Sequence, residues 1–199
     1  MIMTGEMIIE QFYSKERYSN PRMKLSRDVK AGRFRRLKRD LYETDNSTPN
    51  YALAQVIYGP SYISFDYALS FYGMIPEFAY NVTSATCNKH KDKSFITDNC
   101  AFYYSDVPAN VFPEEVITMD IQGHRFNIAS REKALCDKLY KISPVTKMNE
   151  FEELLLDDIR LDEIILSELN RDTIEHLNGM YRCRNVNMLS KYLKRMAIF

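Results

Sequence analysis

Residues 20–43 decide how this chain is read. They run Asn20-Pro21-Arg22-Met23-Lys24-Leu25-Ser26-Arg27-Asp28-Val29-Lys30-Ala31-Gly32, then Arg33-Phe34-Arg35-Arg36-Leu37-Lys38-Arg39-Asp40-Leu41-Tyr42-Glu43. Asn20 is a good helix cap, and Pro21 suits the first turn, where an N–H would be unpaired anyway. In the helix so begun, Leu25 and Val29 are four apart and can face a core. Arg27 and Lys30 share a different face, with Lys24 beside them. Gly32 fits a helix stop. Two short apolar-anchored runs then flank a polar turn, which predicts a β-hairpin edged with arginines.

Charge gives this stretch its direction. The 27 basic and 27 acidic side chains of the 199-residue chain cancel, but residues 1–40 hold eleven basic (Lys15 and Arg17 among them) and five acidic ones, a net +6. The rest carries −6, and residues 150–175 are its acidic pole, with ten carboxylates against Arg160 and Arg171. A basic end on an otherwise acidic chain suggests a polyanion partner for that end. A basic helix followed by a basic hairpin is the second half of a winged helix-turn-helix, in which the helix enters the major groove and the hairpin's cations meet phosphates. One helix, through Met7-Ile8-Ile9 and Phe12-Tyr13, is expected before it, so the module would be minimal.

Further along, residues 51–58 and a segment capped at Ser64 and stopped by Gly73 read as helices around a Gly59-Pro60 break. Short β-rich runs follow at Asn81–Thr86, Ser94–Thr97, Ala101–Ser105, Val116–Asp120 and Arg125–Ala129, the last two joined at Gly123. Ser130 caps a helix through Leu135, Leu139 and Tyr140. The C-terminal third is a series of amphipathic helices carrying Phe151, Leu154, Leu155, then Leu161, Ile164, Ile165, Leu169, and finally Val186, Leu189, Leu193 and Met196. The 25 Tyr and Phe residues fall within these patterns and are read as core. The expected class is α+β, with a minimal winged helix-turn-helix over 1–45, a mixed α/β core over 46–145 and a helical region over 146–199.

Several chemistries have no foothold. There is no phosphate-binding glycine loop, no G-x-S-x-G and no H-E-x-x-H, and the six glycines leave little room for such a loop. Cys87, Cys100, Cys136 and Cys183 form no C-x-x-C pair, and only Cys87 and His90 lie close, so free thiols are expected, with no metal and no cofactor. The nearest approach to a nuclease pattern is Asp120 at a strand end with Glu132-Lys133, but Glu132 is more simply a first-turn acid beside a helix dipole. No apolar run approaches the ~18 residues of a membrane helix. The first ten residues carry Glu6 and Glu10 and no Lys or Arg, which does not suit a secretory signal. A cytoplasmic protein with no membrane partner is the expectation.

Six segments, in order, resemble the AbiEi family. They are Met23-Lys24-Leu25-Ser26-Arg27 through Arg39-Asp40-Leu41-Tyr42, Gly59-Pro60-Ser61-Tyr62-Ile63-Ser64, Ala68-Leu69-Ser70-Phe71-Tyr72-Gly73, Ile75-Pro76-Glu77, Thr83-Ser84-Ala85-Thr86 and Ala129-Ser130-Arg131-Glu132-Lys133-Ala134-Leu135-Cys136-Asp137-Lys138-Leu139-Tyr140. That family comprises antitoxins and transcriptional regulators of bacterial type IV toxin–antitoxin (abortive infection, phage-defence) operons. The resemblance implies a non-enzymatic protein whose winged helix represses its own promoter, typically at inverted repeats. Its following domain would neutralise a nucleotidyltransferase-like toxin. Where the family usually has Arg-Gly-Leu-Tyr, this chain has Asp40, a less suitable residue for positive φ and a carboxylate near phosphate. The candidate DNA contacts are Arg22, Lys24, Arg27, Lys30, Arg33, Arg35, Arg36, Lys38 and Arg39. Lys24, Arg27 and Lys30 would read the groove, and the later residues would hold phosphates. The alternatives are a protein-interaction module whose basic end meets an acidic partner, and a metal-dependent nucleic-acid-processing enzyme using Asp120 and Glu132.

Overall fold

A computed structural model describes residues 1–16 and 18–196; Arg17 and the side chain of Lys15, both in the basic count, lie outside it, as do residues 197–199 of the tail. The fold is α+β. It opens with a strand β1 (Ile2–Thr4), helices α1 (Gly5–Glu16) and α2 (Pro21–Lys30), and the hairpin β2 (Arg35–Lys38) and β3 (Leu41–Glu43). β3 is the central strand of a three-stranded antiparallel sheet, with β1 on one side and β2 on the other. The short strand β1 was not expected from the sequence. Three residues are too few for a period-two pattern, and only pairing with β3, Met3 opposite Tyr42, reveals it.

Register sorts this sheet's side chains. Met3, Tyr42 and Arg36 stand abreast on one face, and Ile2, Glu43 and Arg35 on the other. The first face meets α1 and α2, where Met3, Ile8 and Leu25 form a small core with Phe12, Val29, Phe34 and Tyr42 around it. The second face belongs to the larger core: Leu37 is buried in it, and Ile2 and Leu41 pack against it.

The remainder comprises α3 (Asn50–Ile57), β4 (Tyr62–Ile63), α4 (Phe65–Phe71), β5 (Val82–Thr86), β6 (Lys93–Ile96), β7 (Ala101–Asp106), β8 (Val116–Ile121), β9 (His124–Ala129) and α5 (Arg131–Lys141). Its sheet has the order β6-β7-β5-β4-β9-β8, with β4 parallel to β9 and β5 parallel to β7. Helices α6 (Met148–Glu153), α7 (Glu163–Ser167), α8 (Arg171–Tyr181) and α9 (Arg184–Met196) complete the chain, with a π-helical turn at Leu154–Asp158 after α6. Phe151, Leu177, Leu189 and Leu193 join the same large core as Phe102 and Phe126 of the sheet. No helix among the described residues is long and apolar enough to cross a membrane.

One polar cluster lies inside this core. Lys133 and Asp137, one turn apart on α5, are both fully buried, with Nζ 3.3 Å from Oδ1. Lys133 Nζ also donates to the Val111 carbonyl at 2.8 Å and the Tyr181 hydroxyl at 2.7 Å. Asp137 accepts from Tyr62 Oη at 3.0 Å, Ser64 Oγ at 2.7 Å and Tyr181 Oη. Every charged atom thus has a partner, which is the condition for tolerating buried ions. Burial pushes the ammonium of Lys133 down, opposed by Asp137. Burial and then the Asp137 charge push the Tyr62 and Tyr181 phenols well up.

Candidate nucleic-acid interface

Local sequence builds α2 as expected. Asn20 Oδ1 accepts from the Met23 amide at 3.1 Å, Pro21 occupies the first turn, and Gly32 adopts φ +69 after the last one. At about 100° per residue, Arg22, Ser26, Val29 and Lys30 share one side of the helix, while Lys24 and Asp28 fall on another. That split decides the fate of the cations.

Four of the nine candidates are paired within the chain. Lys24 Nζ lies 2.7 Å from both oxygens of Asp28 and 5.4 Å from the ring centres of Phe12 and Tyr18. Arg33 closes on the same carboxylate, with Nε at 2.8 Å. Asp28 is only 2% exposed. Burial pushes its carboxyl up, but the hydrogen bonds and charges of Lys24 and Arg33 outweigh this and hold it below the usual range. Arg35 lies on the face of β2 turned to the large core, where a guanidinium N–H donates to Asn50 Oδ1 at 2.6 Å and Thr97 Oγ1 at 3.3 Å. The buried Glu43 carboxylate is 3.7 Å away. Lys38 donates to the Ile57 carbonyl at the end of α3, where a cation suits the helix dipole.

The other five, Arg22, Arg27, Lys30, Arg36 and Arg39, are exposed. None has an ion pair or side-chain hydrogen bond among the described residues. Arg22 and Lys30 from α2, with Arg36 and Arg39 from the hairpin, line one groove of about 670 Å³ whose floor includes Leu25, Val29, Ile9 and Tyr42. Arg27 stands on α2 outside it. Arg36 reaches the groove because it shares a face with Tyr42, whereas its neighbour Arg35 points the opposite way. Such a surface offers four exposed cations on one concave frame, suited to a polyanion wider than a single phosphate.

Two carboxylates line the same groove, Glu6 and Asp40. Asp40 adopts φ +59 without being glycine, and its Oδ1 accepts from the Gly5 amide at 3.0 Å. The side chain therefore caps the start of α1 from across the hairpin turn.

The carboxylates of the enzyme alternative do not meet. Asp120 accepts from the Gly123 amide at 2.9 Å and pairs with Arg125 in the β8–β9 turn. Glu132 accepts from the Asn170 amide at 2.9 Å beneath the start of α8. No three His, Cys, Asp or Glu among the described residues converge as a metal site. Asp28, the residue that organises Lys24 and Arg33, was overlooked in the sequence, although a Lys four residues before an Asp on a helix is a readable signal. In comparison with known proteins, no family model matches the chain and no curated protein matches it.

Proposed function

We propose that this chain is a DNA-binding antitoxin of the AbiEi kind, repressing its own promoter through the groove formed by α2 and the β2–β3 hairpin. The observation that carries the DNA-binding half is the convergence of Arg22, Lys30, Arg36 and Arg39, none of them paired among the described residues, on one concave face. The order strand, two helices, hairpin, with β1 paired to β3, supports the strand-to-wing portion of a winged helix-turn-helix. α2 would lie in the major groove and the hairpin would follow the backbone, with Arg27 reaching a flanking phosphate. The antitoxin half rests on the six ordered segments that resemble the family. Its partner would be a nucleotidyltransferase-like toxin, and the protein itself would be non-enzymatic.

A mobility-shift titration on the duplex immediately upstream of the coding sequence tests the first half. With four groove cations on phosphates, log K should fall against log[salt] with a slope of about −3.6. Replacing Arg22, Lys30, Arg36 and Arg39 together by Ala should abolish the shift. An unchanged shift, or none with the native chain, defeats the reading. For the second half, co-expression with the neighbouring gene product should restore growth that the product alone arrests.

A further inference from the structure

Asp40 occupies an unusual place. It lies at the tip of the hairpin, directly after Arg39, and its carboxylate is a negative group lining a groove whose other free charges are mostly positive. On electrostatics alone it would weaken the grip on any polyanion. Its geometry does something else. Oδ1 takes the Gly5 amide, one of the α1 N–H groups that have no partner within the helix, and fixes the turn to the far wall of the groove. Gly5 is shaped for this contact: a Cβ there would stand 2.5 Å from Asp40 Oδ1 and 3.3 Å from the Tyr42 ring. The contact links residues 35 positions apart, so local turn preference does not explain it.

We propose that Asp40 is a positioning residue for nucleic-acid binding, holding the hairpin tip on α1 so that Arg39 and Arg36 face the same ligand as Arg22 and Lys30. The proposal rests on the nucleic-acid reading of the groove and adds how its two walls are kept in register. Asp40 offsets the repulsion of its own charge by lowering the ordering cost of the arginines beside it.

Three variants separate positioning from simple charge. Asp40→Asn keeps a side-chain oxygen acceptor and a residue tolerant of positive φ, but removes the charge. Asp40→Gly keeps the φ and removes both acceptor and charge. Gly5→Ala breaks the contact from the other side. The readout is fluorescence anisotropy on the upstream duplex at about 50 and 200 mM salt. Asp40→Asn should bind at least as tightly as the native chain. Asp40→Gly should bind more weakly, despite losing a negative charge, with a salt slope shallower by about 1, which is roughly fourfold less affinity lost across that range. Gly5→Ala should match it, and the two together should be no worse than either alone. If Asp40→Gly and Asp40→Asn both tighten binding, or both equal the native chain, Asp40 acts by charge or not at all and the proposal fails while the groove reading stands. If the native chain binds no duplex, both fall. Thermal melts accompany each variant, and should Gly5→Ala not fold, the comparison of Asp40→Gly with Asp40→Asn decides alone.

Discussion

The chain makes the same local choice twice, with opposite results. Lys24–Asp28 on α2 and Lys133–Asp137 on α5 are both lysine–aspartate pairs one helical turn apart, and both lysines sit near two aromatic rings. On α2 the lysine is a quarter exposed, and the aspartate's second cation, Arg33, is mostly in solvent. On α5 both partners are fully buried, and three hydroxyls from β4, the residue after it and α8 converge on the carboxylate. Spacing announces a pair, but what surrounds it decides whether the pair is a surface clasp or part of the core.

The largest break in this comparison should come at the buried pair. Asp137→Ala leaves an uncompensated ammonium and the hydroxyls of Tyr62, Ser64 and Tyr181 without their acceptor, so urea unfolding should show a loss of about 3–5 kcal/mol. Lys133→Met combined with Asp137→Ala should cost less than the two single losses added together. Asp28→Ala, whose partners Lys24 and Arg33 are a quarter and more than half exposed, should cost about 1–2 kcal/mol in the same assay. A larger loss at Asp28 than at Asp137 would overturn the distinction.

The pH dependence should divide in the same way. The folded carboxyl of Asp28 lies below its unfolded value, so the unfolded chain takes up the proton first, and stability falls as acid is added through that folded value. Asp28→Asn should flatten this acid limb. Tyr62 and Tyr181 are pushed up, so the unfolded chain loses those protons first and stability falls as pH rises past about 10. Lys133, pushed down, contributes with the opposite sign near that region, and Lys133→Met should make the alkaline decline steeper. Unfolding midpoints recorded across pH for the native chain and each variant check both limbs.

On the proposed reading of the groove, the smallest effects should lie in nucleic-acid binding. Lys24→Ala should leave the salt slope of duplex binding nearly unchanged, because that ammonium is already committed to Asp28. Arg36→Ala should reduce the slope by about 1. A slope reduced by about 1 in Lys24→Ala as well would show that the clasp opens on binding.

Much of this was legible beforehand because it was local. The Asn20 cap, the Pro21 start, the hairpin and the five strands β5 to β9 follow from neighbours a few residues apart, and all are present. The destinations of Arg35 and Lys38 were not legible. Their acceptors, Asn50, Thr97 and the Ile57 carbonyl, are supplied from 15 to 62 residues away, and a register irregularity between Arg36 and Lys38 disturbs the alternation that would sort inward from outward cations. Nor does any pattern within β4 reveal that its two residues bridge β5 and β9 at the centre of the large sheet. The groove was half visible: Arg22, Lys30, Arg36 and Arg39 were among nine candidates, but Asp28, Glu43 and the Ile57 carbonyl had to be located before the unpaired ones stood out.

The three-stranded sheet serves as a party wall. Leu37 is sealed within the larger core, and Ile2 and Leu41 rest on it, while Met3 and Tyr42 on the opposite side serve α1 and α2. Cutting the chain near residue 45 would therefore strip the lining from two rooms at once. A fragment ending there would show an oily back to solvent, and the remaining piece would gape where Leu37 had been. Exchange of this front segment between relatives would have to carry the wall with it, including the matching seats at Asn50 and Thr97.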